Sequence, residues 1–448
     1  MDNKLFIFDF DGVLVDSKKI HFDSLNAALS EIDLRYVISE IEQSQVYEGL
    51  PTKSKLDILN KTKNLPKDFF DQVWRSKQKY SDAMLSRIDI DEDLISMIKF
   101  LKSSGFYVAV ASNSIRTTLD LGLKRLGIID LIDYSLSNED VINPKPDSEI
   151  YIKCINHFGV DKKNVIIFED SPTGLKSAID SEAKTIFIKN RSKLTMNKIL
   201  NAINLLNETN KINILIPMAG KGNRFLEKGY SKPKPLVQVK DKTMIESVVE
   251  NLSIDGQYIF IVQKEHCDKY DLDSILESIA PDSIIIPIDW YTNGTAITTL
   301  IAKAFINDSN KLIIANSDQL VDWNSKHFAD MLDKDGCSGS ILLFNDNNPK
   351  WSYAKINNDL ITEVAEKVVI SENATVGIYG WTNGSDYVKY VEQMIKKDIR
   401  TNDEFYVCPV YNEAIQDGKK IAPFFVGRMI GLGTPEDLEY YLNENNIS

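Results

Sequence analysis

Two stretches of similar design decide the fold that this sequence predicts, LFIFDFDG at residues 5–12 and INILIPMAG at residues 212–220. Each is a short apolar strand that leads into a loop containing glycine. In α/β proteins, the order strand, loop, helix places functional groups at the carboxyl ends of parallel strands. We therefore predict two α/β domains, each with its chemistry in the loop after its first strand.

The sequence between residues 17 and 88 has a helical pattern, with apolar residues three or four positions apart and no strong strand run. Strand runs return at residues 107–111, 164–168 and 184–188, with helical segments between them. Residues 1–190 are thus predicted to form a parallel strand-helix core with a helical insertion after the first strand.

Residues 191–211 are polar and rich in Asn and Lys, with a short apolar stripe, and are predicted to be a connecting helix and linker. The second α/β domain is predicted to span residues 212–448. Its expected strands are residues 257–263, 283–288, 311–315 and 339–344.

Composition limits the classes of function. The 448 residues carry a formal net charge of −13, which disfavours nucleic acid as a partner. Without a long apolar run or a signal-peptide pattern, no membrane partner is expected and a cytoplasmic location is predicted. The four cysteines and four histidines are scattered, so a metal would be held by oxygen, which favours Mg²⁺. A homo-oligomer stays open.

Acidic residues follow the first predicted strand. Asp9 and Asp11 point the same way on an extended chain, and a divalent cation between them would relieve their repulsion. A solvated Asp-Gly turn is the alternative for this fragment alone. Ser112, Lys145 and the pair 169–170 (Glu-Asp) also stand at strand ends or in adjoining loops. Phosphoryl transfer through an aspartyl intermediate requires a hydroxyl group, a lysine and a pair of acidic residues of this kind.

With these four motifs, residues 1–190 resemble the haloacid dehalogenase-type phosphatases that carry a helical cap, here at about residues 17–88. The resemblance implies that Asp9 is the nucleophile and that Asp11 is general acid and then general base. It implies that Ser112 and Lys145 bind phosphate oxygens.

The same resemblance implies a Mg²⁺ site made by Asp9, the Asp11 carbonyl and Asp170, with Glu169 holding a metal-bound water. Residues 48–52 resemble the substrate-facing loop of the cap, and an ordinary helix-breaking turn is the alternative.

A second constellation follows the strand at residues 214–216. The loop AGKGNRF (219–225) has glycines that let backbone N–H groups approach phosphates, and the stiff KPKPL segment (232–236) follows it. Arg224 and Lys234 would supply positive charge to a triphosphate.

These signatures resemble the sugar-phosphate nucleotidyltransferases, from Ile212 to the C-terminus. The implied nucleotide-binding residues are Ala219, Gly220, Gly222, Asn223, Arg224, Lys234, Gly294 and Thr295. The implied acceptor-binding residues are Glu366, Lys367, Gly377, Glu404 and Tyr406. Asp318 matches the magnesium aspartate of the family.

One position departs from the family pattern. Many relatives carry a second metal aspartate two residues before the glycine of the closing motif GTPEDL (433–438), where this chain has Gly431. Either Asp318 and the triphosphate hold Mg²⁺ alone, or another acid substitutes. Asp437 is available, although an acid at the start of a helix is an equally good interpretation.

We expect a bifunctional α/β enzyme. Its first domain would be a Rossmann-like phosphatase acting on a sugar or polyol phosphate. Its second, a Rossmann-like domain with a mixed sheet, would transfer a nucleotide to a sugar or polyol phosphate for capsule or surface polysaccharide synthesis. The form of the glycine loop, the KPKPL spacing and the glycine at position 431 resemble cytidylyl-transferring and related capsule-pathway enzymes, and this resemblance implies CTP as the nucleoside triphosphate. Two alternatives stay open: one domain is a silent binding module, or the first domain is a phosphomutase.

Overall fold

The computed structural model describes residues 3–47, 50, 52–207, 211–334 and 336–444. The chain divides into two compact units, residues 1–207 and 208–448, and both are α/β as predicted.

The first unit is built on a five-stranded parallel sheet in the order β3-β2-β1-β4-β5. Its strands are β1 (Leu5–Phe8), β2 (Tyr107–Ala111), β3 (Tyr134–Leu136), β4 (Val165–Glu169) and β5 (Lys184–Phe187). Its helices are α1 (Lys18–Ser30), α2 (Glu40–Glu42), α3 (Thr52–Lys63), α4 (Phe70–Leu85), α5 (Glu92–Ser103), α6 (Arg116–Arg125), α7 (Glu149–Phe158), α8 (Pro172–Asp180) and α9 (Met196–Asn207). Because β1 is the central strand and is buried on both faces, its carboxyl end brings Asp9 to the middle of the sheet edge.

The insertion after β1 is helical, as predicted, and has a hydrophobic core of its own. Leu25 of α1, Leu56 and Leu59 of α3, and Val73 of α4 are buried together there. Glu48, Gly49 and Pro51 of the predicted substrate-facing loop lie outside the described residues.

Helix α9 changes the interpretation of the predicted linker at residues 191–211. Its residues Ile199 and Ala202 are fully buried in the core of the first unit, together with Leu194. The apolar stripe therefore belongs to the first unit, because a free linker would have no surface against which to bury it. Only the last residues of the predicted linker lie beyond this unit.

The second unit is built on a nine-stranded mixed sheet in the order β10-β9-β6-β11-β16-β13-β17-β15-β14. The strands of this sheet are β6 (Asn213–Pro217), β9 (Gln257–Gln263), β10 (Ile284–Ile288), β11 (Leu312–Ala315), β13 (Gly339–Asn345), β14 (Ser352–Asn357), β15 (Leu360–Glu366), β16 (Asn373–Trp381) and β17 (Ile421–Phe425). Two further pairs lie outside it: β7 (Gln238–Val239) with β8 (Lys242–Thr243), and β12 (Gln319–Asp322) with β18 (Arg428–Gly431). Its helices are α10 (Asn223–Glu227), α11 (Met244–Leu252), α12 (Lys264–Tyr270), α13 (Leu272–Ile279), α14 (Thr295–Leu300), α15 (Lys303–Ile306), α16 (Ser325–Met331), α17 (Gly384–Lys396), α18 (Val410–Gln416) and α19 (Pro435–Glu444).

Strands β10, β9, β6 and β11 run parallel, so their carboxyl ends meet at one edge of the sheet. The predicted glycine loop follows β6, the segment before Gly294 follows β10, and Asp318 lies in the loop after β11. Strand β16 pairs with β11 in the antiparallel sense and places Gly377 beside the same edge. No helix among the described residues has the length and apolar character needed to cross a membrane.

Candidate active sites

The first site is organised around Lys145. Its Nζ atom donates hydrogen bonds of 2.6 Å to Oδ1 of Asp9, 2.6 Å to Oε1 of Glu169 and 2.9 Å to the carbonyl oxygen of Ala111. All of these groups are buried. Burial alone would lower the pKa of Lys145, but Asp9 and Glu169 outweigh it and raise the pKa, so the amino group stays protonated.

Glu169 is held on both of its carboxylate oxygens. The Tyr151 hydroxyl donates to Oε1 at 2.6 Å, and the backbone N–H of Asp170 donates to Oε2 at 3.0 Å. Gly174 lies against the same carboxylate, because a Cβ atom there would stand 1.9 Å from Oε1 of Glu169. These three contacts fix the direction of the Glu169 side chain.

The carboxylates of Asp9, Glu169 and Asp170 are buried and offer oxygen atoms that all lie within 4.8 Å of one another. Burial raises the pKa of Asp9, and the negative charges of Glu169 and Asp170 raise it further, while Lys145 lowers it. One lysine does not neutralise three carboxylates, so this donor set fits a hard divalent cation such as Mg²⁺. The Asp170 carboxylate packs against Gly12, because a Cβ atom there would stand only 2.0 Å from Oδ2 of Asp170.

Asp11 turns toward the cap. Its carboxylate accepts a hydrogen bond of 2.7 Å from the Ser114 hydroxyl and lies 3.1 Å from Nε2 of His21 on α1. The other ring nitrogen of His21 lies 3.3 Å from Nζ of Lys77 on α4. Burial by itself raises the pKa of Asp11, yet His21, with hydrogen bonds from Ser17 and Ser114, outweighs burial and holds the pKa below its ordinary value. Asp11 is therefore a carboxylate in this arrangement, which is the form that accepts a proton.

Ser112 lies at the end of β2, fully buried, and its Oγ accepts a hydrogen bond of 2.9 Å from the Ser114 backbone N–H. A hydroxyl that accepts one hydrogen bond can still donate another, so Ser112 could donate to a phosphate oxygen. This role stays a prediction. Asn113 bonds the backbone N–H of Lys145 at 3.1 Å and its carbonyl at 3.2 Å, which fixes the lysine loop to the end of β2.

The glycine loop of the second unit opens α10. Gly222 caps that helix with φ of +62°, and a Cβ atom on it would stand 3.3 Å from Cβ of Lys234. Gln263 donates to the carbonyl oxygen of Ala219 at 2.5 Å and ties the loop to the end of β9. Arg224 lies in the first turn of α10. The structure thus brings the glycine loop and the KPKPL segment together.

Lys234 and Asp318 form an ion pair at the carboxyl edge of the sheet. Gly433 of the closing motif packs against them, because a Cβ atom there would stand 2.8 Å from Oδ2 of Asp318. Gly431 pairs with Gln319 through strands β18 and β12. Asp437, the candidate substitute acid, accepts a hydrogen bond of 3.3 Å from Lys350.

The segment before Gly294 and the segment 402–406 are joined by their backbones. The Phe405 N–H donates to the carbonyl of Asn293 at 3.1 Å, and the Ala296 N–H donates to the carbonyl of Phe405 at 2.9 Å. Gly294 has φ of +110°, and a Cβ atom there would stand 2.4 Å from the Phe405 backbone. Thr295 begins α14 directly behind this contact.

The predicted acceptor residues come together from the end of β15 and from the segment that precedes α18. Nζ of Lys367 lies 2.7 Å from the hydroxyl of Tyr406 and 4.4 Å from its ring centroid. Glu366 on β15 bonds Ser352, its cross-strand partner on β14. Burial raises the pKa of Glu366, and the nearby Glu404 raises it further, whereas Ser352 and Lys367 lower it. These residues form one polar cluster.

Gly377 presents its backbone to two amide side chains. It has φ of +91°, and a Cβ atom there would stand 2.3 Å from Nδ2 of Asn316 and 2.5 Å from Oε1 of Gln319. Oε1 of Gln319 is buried and has no hydrogen-bond partner among the described residues. Asn316 and Gln319 flank Asp318 in sequence, so the loop that carries this predicted metal ligand contacts the strand that carries Gly377.

Sequence reasoning missed several residues that contact the site groups. They are Ser17, His21, Lys77, Asn113, Ser114, Tyr151, Asn316, Gln319 and Ser352. For His21 the sequence offered only an isolated histidine, and for Tyr151 a buried aromatic position on a helix. Their contacts depend on which elements fold against each other, which local spacing does not contain.

Comparisons with known proteins identify both units. A family model for haloacid dehalogenase-like hydrolases matches residues 6–188, and a family model for nucleotidyl transferases matches residues 214–437. A phosphorylated carbohydrates phosphatase of Thermotoga maritima is 27% identical over 188 residues, which cover 40% of this chain and 82% of that protein. Protein CbbY of Rhodobacter capsulatus is 24% identical over 189 residues, 40% of this chain and 82% of that protein.

Among solved structures, a nucleoside-diphosphate-sugar pyrophosphorylase of Vibrio cholerae RC9 is similar, with 25% identity and a TM-score of 0.45. The match covers 51% of this chain and 99% of that protein.

The family model for nucleotidyl transferases matches residues 214–437, which are half of the 448 residues of the chain. The chain therefore belongs to the nucleotidyl transferase family and carries, ahead of that part, a haloacid dehalogenase-like hydrolase domain.

Proposed function

We propose that this chain is a bifunctional enzyme in which a Mg²⁺-dependent phosphatase precedes a nucleotidyltransferase. The observation that carries the phosphatase half is the buried contact of Lys145 with both Asp9 and Glu169. It holds Asp9 at the end of the central strand with its charge partly offset.

In the first site, an oxygen of Asp9 attacks the phosphorus of a phosphomonoester, and the bond from phosphorus to the substrate oxygen breaks. Asp11 is a carboxylate without substrate, so it has to take up a proton as the substrate binds, and it then gives that proton to the leaving oxygen. As a carboxylate it then takes a proton from water, whose oxygen attacks the phosphorus of the phosphoaspartate. The bond from phosphorus to the Asp9 oxygen breaks, inorganic phosphate leaves and the Asp9 carboxylate is restored. Ser112 holds a phosphate oxygen. The three N–H groups of Lys145 are bonded to Asp9, Glu169 and Ala111, so Lys145 has to exchange one of these contacts to hold another phosphate oxygen. Asp9, the Asp11 carbonyl and Asp170, with Glu169 beside them, would hold Mg²⁺, which offsets negative charge on the transferring phosphoryl group.

In the second site, an oxygen of the acceptor phosphate attacks the α-phosphorus of a nucleoside triphosphate. The bond from that phosphorus to the bridging oxygen breaks, and pyrophosphate leaves. Arg224 and Lys234 neutralise the triphosphate, and the glycine loop binds it through backbone N–H groups. Asp318 would hold Mg²⁺, so Lys234 has to exchange its contact with Asp318 for one with the triphosphate. Glu366, Lys367, Gly377, Glu404 and Tyr406 hold the acceptor.

We propose CTP as the donor and a sugar or polyol phosphate as the acceptor, giving an activated sugar or polyol for surface polysaccharide. The CTP assignment rests on the form of the glycine loop, the KPKPL spacing and the glycine at position 431. The name of the Thermotoga maritima relative, a phosphorylated carbohydrates phosphatase, supports a sugar phosphate as substrate of the first site.

The test is a screen of sugar and polyol phosphates, each with CTP, UTP, dTTP, ATP or GTP, that measures inorganic phosphate and pyrophosphate separately. We expect phosphate release without any triphosphate, and pyrophosphate release that requires both substrates and is fastest with CTP. Little phosphate and a requirement for a bisphosphate activator would instead identify the first unit as a phosphomutase. Absence of pyrophosphate with every pair would identify the second unit as a binding module.

A further inference from the structure

The loop between β10 and α14 carries an exposed aromatic ring. Tyr291 is 56% exposed and stands three residues before Gly294, which the family resemblance implies to be a nucleotide-binding residue. Resting on the proposed nucleotidyltransferase function, we infer that Tyr291 is the platform on which the base of the nucleoside triphosphate stacks. We further infer that Lys221 covers the ring until the triphosphate binds.

The ring has one charged neighbour from the glycine loop. Nζ of Lys221 lies 4.6 Å from the centroid of the Tyr291 ring, which is a cation–π contact. Lys221 stands between Gly220 and Gly222, the residues that would cradle phosphates. The contact therefore joins the loop that takes the triphosphate to the loop that faces the base.

Hydrogen bonds hold the backbone that follows Tyr291, so the exposed ring stands on an ordered loop. Thr292 bonds Thr298 of α14 through their hydroxyls at 2.5 Å. Asn293 and Ala296 are bonded to Phe405, as described above. With its following residues anchored, the loop presents the tyrosine ring at a set position.

A triphosphate should draw Lys221 away from the Tyr291 ring, because full negative charges attract an ammonium group more strongly than the face of an aromatic ring does. When Lys221 turns to the phosphates, the face of Tyr291 becomes free at the moment when a base arrives. Stacking on an aromatic ring tolerates every base, since each base has a π face. Tyr291 should therefore add affinity for nucleotides without selecting among them.

The experiment measures binding to the full chain by isothermal titration with Mg²⁺ present, using CTP, UTP and inorganic tripolyphosphate. Tripolyphosphate has the charge of the triphosphate but no base. For Tyr291→Ala we expect CTP and UTP to bind about 10-fold more weakly, both to the same extent, with tripolyphosphate unchanged. Tyr291→Phe should bind all three like the wild type. Tyr440→Ala, which removes a comparably exposed tyrosine from α19, is the matched control and should also be unchanged.

Lys221→Met separates the two roles, because it should weaken CTP and tripolyphosphate together. Unaltered CTP binding by Tyr291→Ala would overturn the platform, and unaltered tripolyphosphate binding by Lys221→Met would overturn the role of Lys221. A loss of tripolyphosphate binding in Tyr291→Ala would also contradict the platform, since the ring would then be supporting the phosphate loop. If the wild-type chain binds neither nucleotides nor tripolyphosphate, the proposed nucleotidyltransferase function itself fails.

Discussion

Nζ of Lys145 lies 2.6 Å from Oδ1 of Asp9 and 2.6 Å from Oε1 of Glu169, with all three side chains almost completely buried. One ammonium group therefore compensates two carboxylates that come from the ends of adjacent strands β1 and β4. Asp170 adds a third carboxylate to this cluster. The surplus of negative charge makes the cluster sensitive both to the lysine and to an added cation.

Replacing Lys145 should reveal this sensitivity. Lys145→Met keeps the length of the side chain but leaves two buried carboxylates without compensation. It should lower the free energy of unfolding of the first unit by ~3 kcal/mol or more and abolish phosphate release. Urea denaturation with and without Mg²⁺ measures this, and added Mg²⁺ should restore part of the loss. Lys163→Met, which changes an exposed lysine bonded to Asp161, should change neither property; a stable, active Lys145→Met chain would contradict the charge argument.

Gly12 and Gly105 offer a matched pair of substitutions. Both have similar positive φ angles, +86° and +82°, so an alanine at either position is strained to a similar degree. Only at Gly12 would the new Cβ atom collide with Asp170, whereas nothing lies within 4 Å at Gly105. Gly12→Ala should raise the Mg²⁺ concentration for half-maximal phosphatase rate by about 10–100-fold, and Gly105→Ala should leave it unchanged. Equal effects of the two variants would show that strain, not the Asp170 contact, is responsible.

In the second unit, Lys234→Ala should slow pyrophosphate release by about 100-fold, because it removes a charged contact to the transferring group. Arg224→Ala should behave similarly. The control is Lys242→Ala, which removes an exposed lysine bonded to Glu250 and should leave the rate within twofold. Wild-type rates in both Lys234→Ala and Arg224→Ala would show that the triphosphate is bound elsewhere.

The position of α9 leads to a prediction about where the chain can be divided. A fragment of residues 1–190 lacks Ile199, Ala202 and Leu194, which are buried in the first core. Losing the burial of one Ile side chain alone costs about 1.5–3 kcal/mol. A fragment of residues 1–210 should therefore keep its phosphatase activity and unfold at clearly higher urea than 1–190. Equal midpoints for the two fragments would show that α9 contributes nothing to the first unit.

Much of the fold could be predicted from the sequence where a buried strand has an uninterrupted apolar run. β2 and β9 begin and end at the predicted residues, because continuous apolar runs identify such strands locally. The buried strand β16 was not predicted, because Thr375, Gly377 and Gly380 interrupt its apolar run. The outer strands β14 and β15 were not predicted, since one face of each is exposed and their apolar pattern is weak. Their pairing decides that Ser352 meets Glu366.

The candidate sites divide in the same way. Asp9, Lys145 and Lys234 stand in motifs with characteristic spacing, so the sequence alone pointed to them. Tyr151 and His21 act through contacts made only when α7 packs on the sheet and the cap meets the core. No spacing in one sequence records such contacts.

If one chain contains two separate active sites, single substitutions should abolish one activity and spare the other. Phosphate and pyrophosphate release, measured on the same preparations of two variants, test this most directly. Asp9→Asn has an amide that cannot attack phosphorus, so it should release no phosphate while its pyrophosphate release stays near that of the wild type. Lys234→Ala should show the reverse. Asp16→Asn, an exposed acid in the same segment, serves as the control for the first variant. Phosphate release that survives in Asp9→Asn, or loss of both activities in either variant, would contradict the account.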